Sequence, residues 1–270
     1  MYQQQAPINF QKSDLVYSRG AGSRVPLVIG RSLNVLNPLF QKTLEERDEA
    51  LLMDLAGCQI TGGAGGLAIN PGPAKDMNQH LDWVLETLTR NFDVPLFVPA
   101  HSARFMQSSA LSSGKCVLNG VAADPEVLRD KMQLALRCNA DLVVLLFRSG
   151  SRSILNDKLA LAVDVMELAR EIGLAHERLY LDPAITSAPD PLLYELRRGR
   201  PALEPLIEAI RLLDLLTGEQ IKIIMDIGNI MGSENRDQNG SFLKSVPELL
   251  FEAGLDGLIM DCGQPAPLIH

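Results

Sequence analysis

A chain of 270 residues has room for one large domain or two small ones, and 46% apolar residues against 5% aromatics describe an aliphatic α/β interior rather than a β-sandwich. A formal net charge of −8 excludes the basic stripe of a nucleic-acid binder and suits an encounter with a basic partner or ligand region. Cys58, Cys116, Cys138 and Cys262 stand far apart without CxxC spacing, which excludes a zinc site or a disulfide framework and suits a reducing cytoplasm.

No basic segment followed by an apolar stretch opens the sequence, so no secretory signal is expected. No apolar run approaches the ~18–20 residues that cross a bilayer. Neither nucleic acid nor membrane is expected as a partner.

Residues 1–24 are polar, with Gln3-Gln4-Gln5 and Gly20-Ala21-Gly22, and read as an extended arm packed on the surface or on a neighbouring subunit. From Val25 a unit repeats through the remaining region, 25–270: a short apolar run ends in small or polar residues, and an amphipathic segment follows. The first strand is expected at Val25–Ile29, with Arg31-Ser32-Leu33-Asn34 at its tip, then one helix from Asn37 to Asp54. The second strand, Gly66–Asn70, ends in Asn70-Pro71-Gly72-Pro73, and its helix carries Leu81, Val84, Leu85 and Leu88. The third, Pro95–Val98, is tipped by Pro99-Ala100-His101-Ser102, with a helix to Leu111. The fourth, Cys116–Leu118, is tipped by Asn119-Gly120, and Asp124-Pro125 opens the next helix, with proline at its first position.

The fifth strand, Asp141–Phe147, is followed by Arg148-Ser149-Gly150-Ser151-Arg152 and a helix from Asp157 to Ile172, closed by Gly173. The sixth, Leu179–Leu181, runs into Asp182 and Pro183. A loop from Thr186 to Pro201 leads to a helix at 202–216, then a seventh strand, Ile221–Ile227, tipped by Gly228-Asn229. A polar loop, Met231–Ser241, a helix at Leu243–Ala253 and an eighth strand, Leu255–Met260, lead to Asp261. Eight strands alternating with helices match a (β/α)8 TIM barrel. The rival, a doubly wound sheet, carries a glycine-rich first turn, and Gly30-Arg31-Ser32-Leu33-Asn34 is not one. Nine residues follow Asp261, two of them proline, too few for a closing helix of ~11 residues. The arm or a second subunit is therefore expected to cover the groove between the eighth and first strands.

Pro183 cannot donate to a sheet ladder and disfavours helix at Asp182, so the sixth strand stops at a carboxylate. At the C-terminal tip of a barrel strand such a group does chemistry or holds a ligand; the competing reading is an acidic turn residue. The other tips collect Asn70, His101, Ser102, Asn119, Arg148, Asn229 and Asp261. A carboxylate ringed by amides and hydroxyls suits a flat, polar heterocycle. Asn70 also reads as a turn residue before Pro71, and His101 as a surface histidine opening a helix. Arg148, Arg152 and Arg236 read either as clamps on an anionic ligand tail or partner, or as solvated loop charges.

Leu67-Ala68-Ile69-Asn70-Pro71-Gly72-Pro73, Val117-Leu118-Asn119-Gly120, Leu179-Tyr180-Leu181-Asp182-Pro183 and Asp226-Ile227-Gly228-Asn229 with Asn235-Arg236 resemble, in order, the motifs of the pterin-binding barrels. This is the dihydropteroate synthase-like family, and within it the methyltetrahydrofolate:corrinoid/iron–sulfur protein methyltransferases are most similar. The resemblance implies a homodimeric TIM barrel that moves the N5 methyl group between methyltetrahydrofolate, its substrate, and a corrinoid carried by a partner protein. It further implies that Asn119 and Asp182 bond the pterin ring and that Asn229, by N5, is the catalytic amide. Such an amide strengthens its bond as the leaving nitrogen gains a proton, which favours the transition state. Two family aspartates are replaced, by Ala68 and Pro99; His101 or Ser102 stands near the second as a substitute. The alternative is a non-catalytic barrel acting as a binding subunit of a corrinoid methyl-transfer system. The lysine of dihydropteroate synthase itself has no counterpart, since Lys222 sits at the N-terminal end of its strand.

Overall fold

The computed structural model describes residues 25–72, 80–101, 114–148, 155–183, 204–218, 221–227 and 240–263. The arm 1–24, the helix expected from Ser102 to Leu111, the loop Thr186–Pro201, most of the loop 231–241 and the tail beyond Gly263 lie outside them.

Eight parallel strands close into a barrel in chain order. They are β1 (Leu27–Asn34), β2 (Gly66–Asn70), β3 (Leu96–Pro99), β4 (Cys116–Ala122), β5 (Asp141–Leu145), β6 (Leu179–Asp182), β7 (Lys222–Asp226) and β8 (Gly257–Met260). The described helices are α1 (Pro38–Glu46), α2 (Glu49–Thr61), α3 (Leu81–Asn91), α4 (Pro125–Cys138), α5 (Leu155–Ile172), α6 (Glu204–Thr217) and α7 (Gly240–Ala253). The expected TIM barrel is the fold.

The single helix expected over 37–54 is two. Arg47 ends α1 in the left-handed region at φ 52°, and the Asp48 side chain accepts from the Leu51 N–H at 3.0 Å to start α2. An aspartate cap right after a left-handed residue turns the chain while the leucine spacing runs on across the break.

Two strands are longer than expected, for one reason. β1 pairs Gly30 with Leu67 and then Leu33 with Ile69, so it carries one residue more than β2 across that interval. β4 pairs Leu118 with Leu142 and then Val121 with Val144, again one residue more than β5. Each is a β-bulge, a device that re-aims side chains. In β4 it holds Asn119 and Gly120, whose φ of +83° a side chain would resist. Arg31–Asn34 and Asn119-Gly120, expected beyond the strands, are thus inside them.

Alternation along the strands separates two apolar layers. Ile29, Phe97, Val117, Val143, Tyr180, Ile224 and Ile259 fill the lumen, with Phe97 and Tyr180 edge to face at 5.8 Å. A larger shell lies between strands and helices, including Leu33, Leu55, Leu85, Leu142, Leu181 and Leu258.

At the β8–β1 seam, the fully buried Gln59 of α2 lies over Gly30. Its Oε1 accepts from the Cys262 N–H at 3.2 Å, and its Nε2 donates to the Gly263 carbonyl. A Cβ on Gly62 would fall 1.7 Å from the Cys262 carbonyl oxygen, so glycine lets α2 meet the β8 exit. Among the described residues, the C-terminal end of α2 thus meets the chain just beyond β8; the arm lies outside them.

Candidate active site at the barrel mouth

The lumen layer fixes which side chains reach the mouth. Two residues beyond each of its seven members, on the same face, stand Arg31, Pro99, Asn119, Leu145, Asp182, Asp226 and Asp261, and two beyond the partly buried Ala68 that packs against it stands Asn70. These occupy the C-terminal ends of the strands, where barrels of this kind carry their active sites.

Asp182 is 5% exposed at the end of β6, and its backbone carbonyl accepts from the Leu146 N–H at 2.7 Å. Asn119 is half-buried, two strands away, in the β4 bulge; its carbonyl accepts from the Ala100 N–H at 3.1 Å. Both stand on the lumen face near the mouth. Asn70 is exposed, and its Oδ1 accepts from the Gly72 N–H at 3.0 Å, which stabilises the turn after β2. His101 is exposed past the tip of β3.

The Arg148 guanidinium is turned onto the outer wall. It donates to the Ala123 carbonyl at 3.2 Å and to Asp164 of α5 at 3.0 Å. Ser102, Asn229 and Arg236 lie outside the described residues.

Two charged links at the mouth join residues that sequence reasoning did not pair. Arg31 reaches past the tip of β8 to Asp226 of β7 at 3.2 Å. Beside it, the Ser32 hydroxyl donates to Asp261 Oδ1 at 3.1 Å. The bulge in β1 explains why consecutive residues both serve the mouth. The signal for Asp226 was in the sequence: it stands two residues past Ile224, on the same strand face.

Chemically, the mouth offers carboxylates on β6, β7 and β8, an amide on β4 and one guanidinium from β1. Carboxylates accept paired N–H donors, the amide gives and takes, and the guanidinium donates. Thiol chemistry has no place here. All four cysteines are free, and burial pushes each thiol up, Cys116 and Cys262 to about 12.

The barrel is that of the dihydropteroate synthases, as the motifs led us to expect. The Xanthomonas albilineans dihydropteroate synthase with 4-aminobenzoic acid superposes with a TM-score of 0.60 at 20% identity, covering 87% of this chain and 86% of that one. The Coxiella burnetii dihydropteroate synthase in complex with pteroic acid gives 0.62 at 16% identity, with 87% and 86% covered. In sequence, the chain is similar to a methylcorrinoid:tetrahydrofolate methyltransferase of Eubacterium limosum, 23% identical over 166 residues. That match spans 59% of this chain and 60% of the relative's length. No family model matches.

Proposed function

We propose that this chain is a methyltransferase that binds methyltetrahydrofolate in the barrel mouth and moves its N5 methyl group to or from a corrinoid carried by a partner protein. The observation that carries the reading is the lumen-face placement of Asn119 and Asp182 at the strand tips. The similarity to the methylcorrinoid:tetrahydrofolate methyltransferase supports it. Asp182 accepts the N–H donors on the aminopyrimidine edge of the ring, and Asn119 donates and accepts beside it. The apolar lumen layer, with Ile29, Phe97 and Tyr180, lies below these residues.

Transfer from the folate breaks the N5–CH3 bond and leaves its electron pair on nitrogen. A tertiary amine leaves poorly until N5 gains a proton. Asn229, three residues past the β7 tip, supports that proton through its carbonyl oxygen, a bond that strengthens in the transition state. His101, Ser102, Asn70 and Arg236 are assigned further ligand contacts by the resemblance of the motifs alone.

The alternative is a non-catalytic barrel acting as a binding subunit of a corrinoid methyl-transfer system; the similarity to a methyltransferase favours the catalytic reading. We further propose a cytoplasmic homodimer, with residues 1–24 as an arm on the 25–270 barrel. No helix among the described residues is long and apolar enough to cross a membrane.

The test is spectroscopic turnover of methyltetrahydrofolate with free cob(I)alamin. Methylcobalamin formation, reduced about 100-fold or more in Asn229→Ala with folate affinity changed little, supports the reading. Absence of turnover with the free corrinoid and with a corrinoid protein contradicts it.

A further inference from the structure

We infer that Arg31 is a specificity-determining residue of this mouth. Held at the mouth by Asp226, it donates to a carbonyl oxygen of the bound heterocycle, the 4-oxo group if the ligand is a folate. The identity of the ligand rests on the proposed function; the placement of Arg31 does not.

Three observations converge. Arg31 stands on the lumen face one step beyond Ile29, level with Asn119 and Asp182 on their strands. The β1 bulge adds a residue at this point, so that Arg31 and Ser32 turn to separate partners on β7 and beyond β8. Bulges beside active sites serve to aim side chains in this way.

The third observation is the guanidinium itself. Asp226 Oδ1, at 3.2 Å, is its hydrogen-bond partner among the described residues, and the side chain is 25% exposed. A guanidinium has five N–H donors in a rigid fork, so one bond to Asp226 holds the group at the mouth and leaves other N–H donors for a ligand. The ion pair is close to neutral overall. It presents directed donors without the field of a lone cation, which would oppose protonation of a nearby ring nitrogen.

A pterin whose 2-amino and N3–H groups meet Asp182 on β6, and whose N1 side meets Asn119 on β4, carries its 4-oxo group on the β7 side, where Asp226 holds the Arg31 guanidinium. Asp182 accepts, so it selects ring N–H groups; Arg31 donates, so it selects a ring oxygen. Replacing that oxygen by an amino group sets donor against donor.

The test is a protein–ligand cycle by calorimetry. Methyltetrahydrofolate and its 4-amino-4-deoxy analogue are titrated into wild type, Arg31→Met, Arg31→Lys and Asp226→Asn, each checked for folding by its thermal transition. Asp182 also discriminates between the two ligands, so the informative quantity is the change in their affinity ratio. Arg31→Met is expected to reduce the preference for the 4-oxo ligand about 10-fold or more, Arg31→Lys less, and Asp226→Asn by an intermediate factor. An unchanged ratio in a folded Arg31→Met protein, or in Asp226→Asn if Arg31→Met does not fold, overturns the inference and leaves the proposed function standing. Failure of wild type to bind either ligand overturns both.

Discussion

The Lys222 ammonium donates to the Tyr180 hydroxyl at 3.1 Å and lies 4.4 Å from the centre of the same ring. It donates also to the Glu177 carbonyl at 3.4 Å, just before β6. The lysine thus plugs the N-terminal end of the lumen, the face that serves stability in barrels of this kind. Lys222→Met is expected to cost about 1–2 kcal/mol in urea unfolding, the sum of a hydrogen bond and a cation–π contact. Methyltetrahydrofolate affinity should stay within about twofold. Lost affinity with intact stability would give Lys222 a role in the site.

Beside this plug, burial holds the Asp141 carboxyl above the usual carboxylate range, although Lys222 and Arg178 pull it down. A folded-state pKa raised above the unfolded one means that folding favours the protonated form. The contribution of Asp141 to stability is therefore full below the unfolded pKa and is lost as pH rises through the folded one. Asp141→Asn should gain on wild type as pH rises through that window, read as the difference in urea midpoints. A gap that moves the other way would show that the Arg178 pair dominates.

Gly120 sits in the β4 bulge at φ +83°, and a methyl group added there would meet no atom of the described residues within 4 Å. Gly120→Ala therefore isolates backbone strain. It is expected to cost about 1–2 kcal/mol and, by shifting Asn119, to weaken methyltetrahydrofolate binding. Measured affinity unchanged beside that stability loss would remove Asn119 from the ligand contacts.

On the outer wall, Leu159, Ala160 and Val163 of α5 and Leu212, Leu215 and Leu216 of α6 line an open apolar groove. Leu215 is 79% exposed, although α6 already buries Leu206, Ile210 and Leu213 on its inner side. A helix apolar on both sides calls for a second partner, and closed two-fold pairing of identical faces is the commonest solution. Light scattering is expected to give a dimer for wild type and a folded monomer for Leu215→Glu. A monomeric wild type, or a dimer indifferent to Leu215→Glu, would refute this face.

The parts of the fold set by local chemistry were legible in the sequence. β2 stands where alternation and the following proline placed it, and Asp124-Pro125 opens α4 as expected. The glycine stop also holds, with Gly173 at φ +84° after α5. The bulges were hidden because a bulge is a relation between two strands. Nothing within Gly30–Leu33 shows that Leu67 and Ile69 will oppose it with one residue fewer. Arg31 was therefore read as lying beyond the first strand rather than on its lumen face. The break at Arg47-Asp48 was obscured by leucines that keep helical spacing across it.

The central claim is that the mouth around Asp182 holds a reduced folate, and calorimetric titration with methyltetrahydrofolate tests it most directly. We expect micromolar binding to wild type that weakens about 10-fold or more in a folded Asp182→Ala protein. Absence of binding, or binding indifferent to Asp182, would contradict the claim.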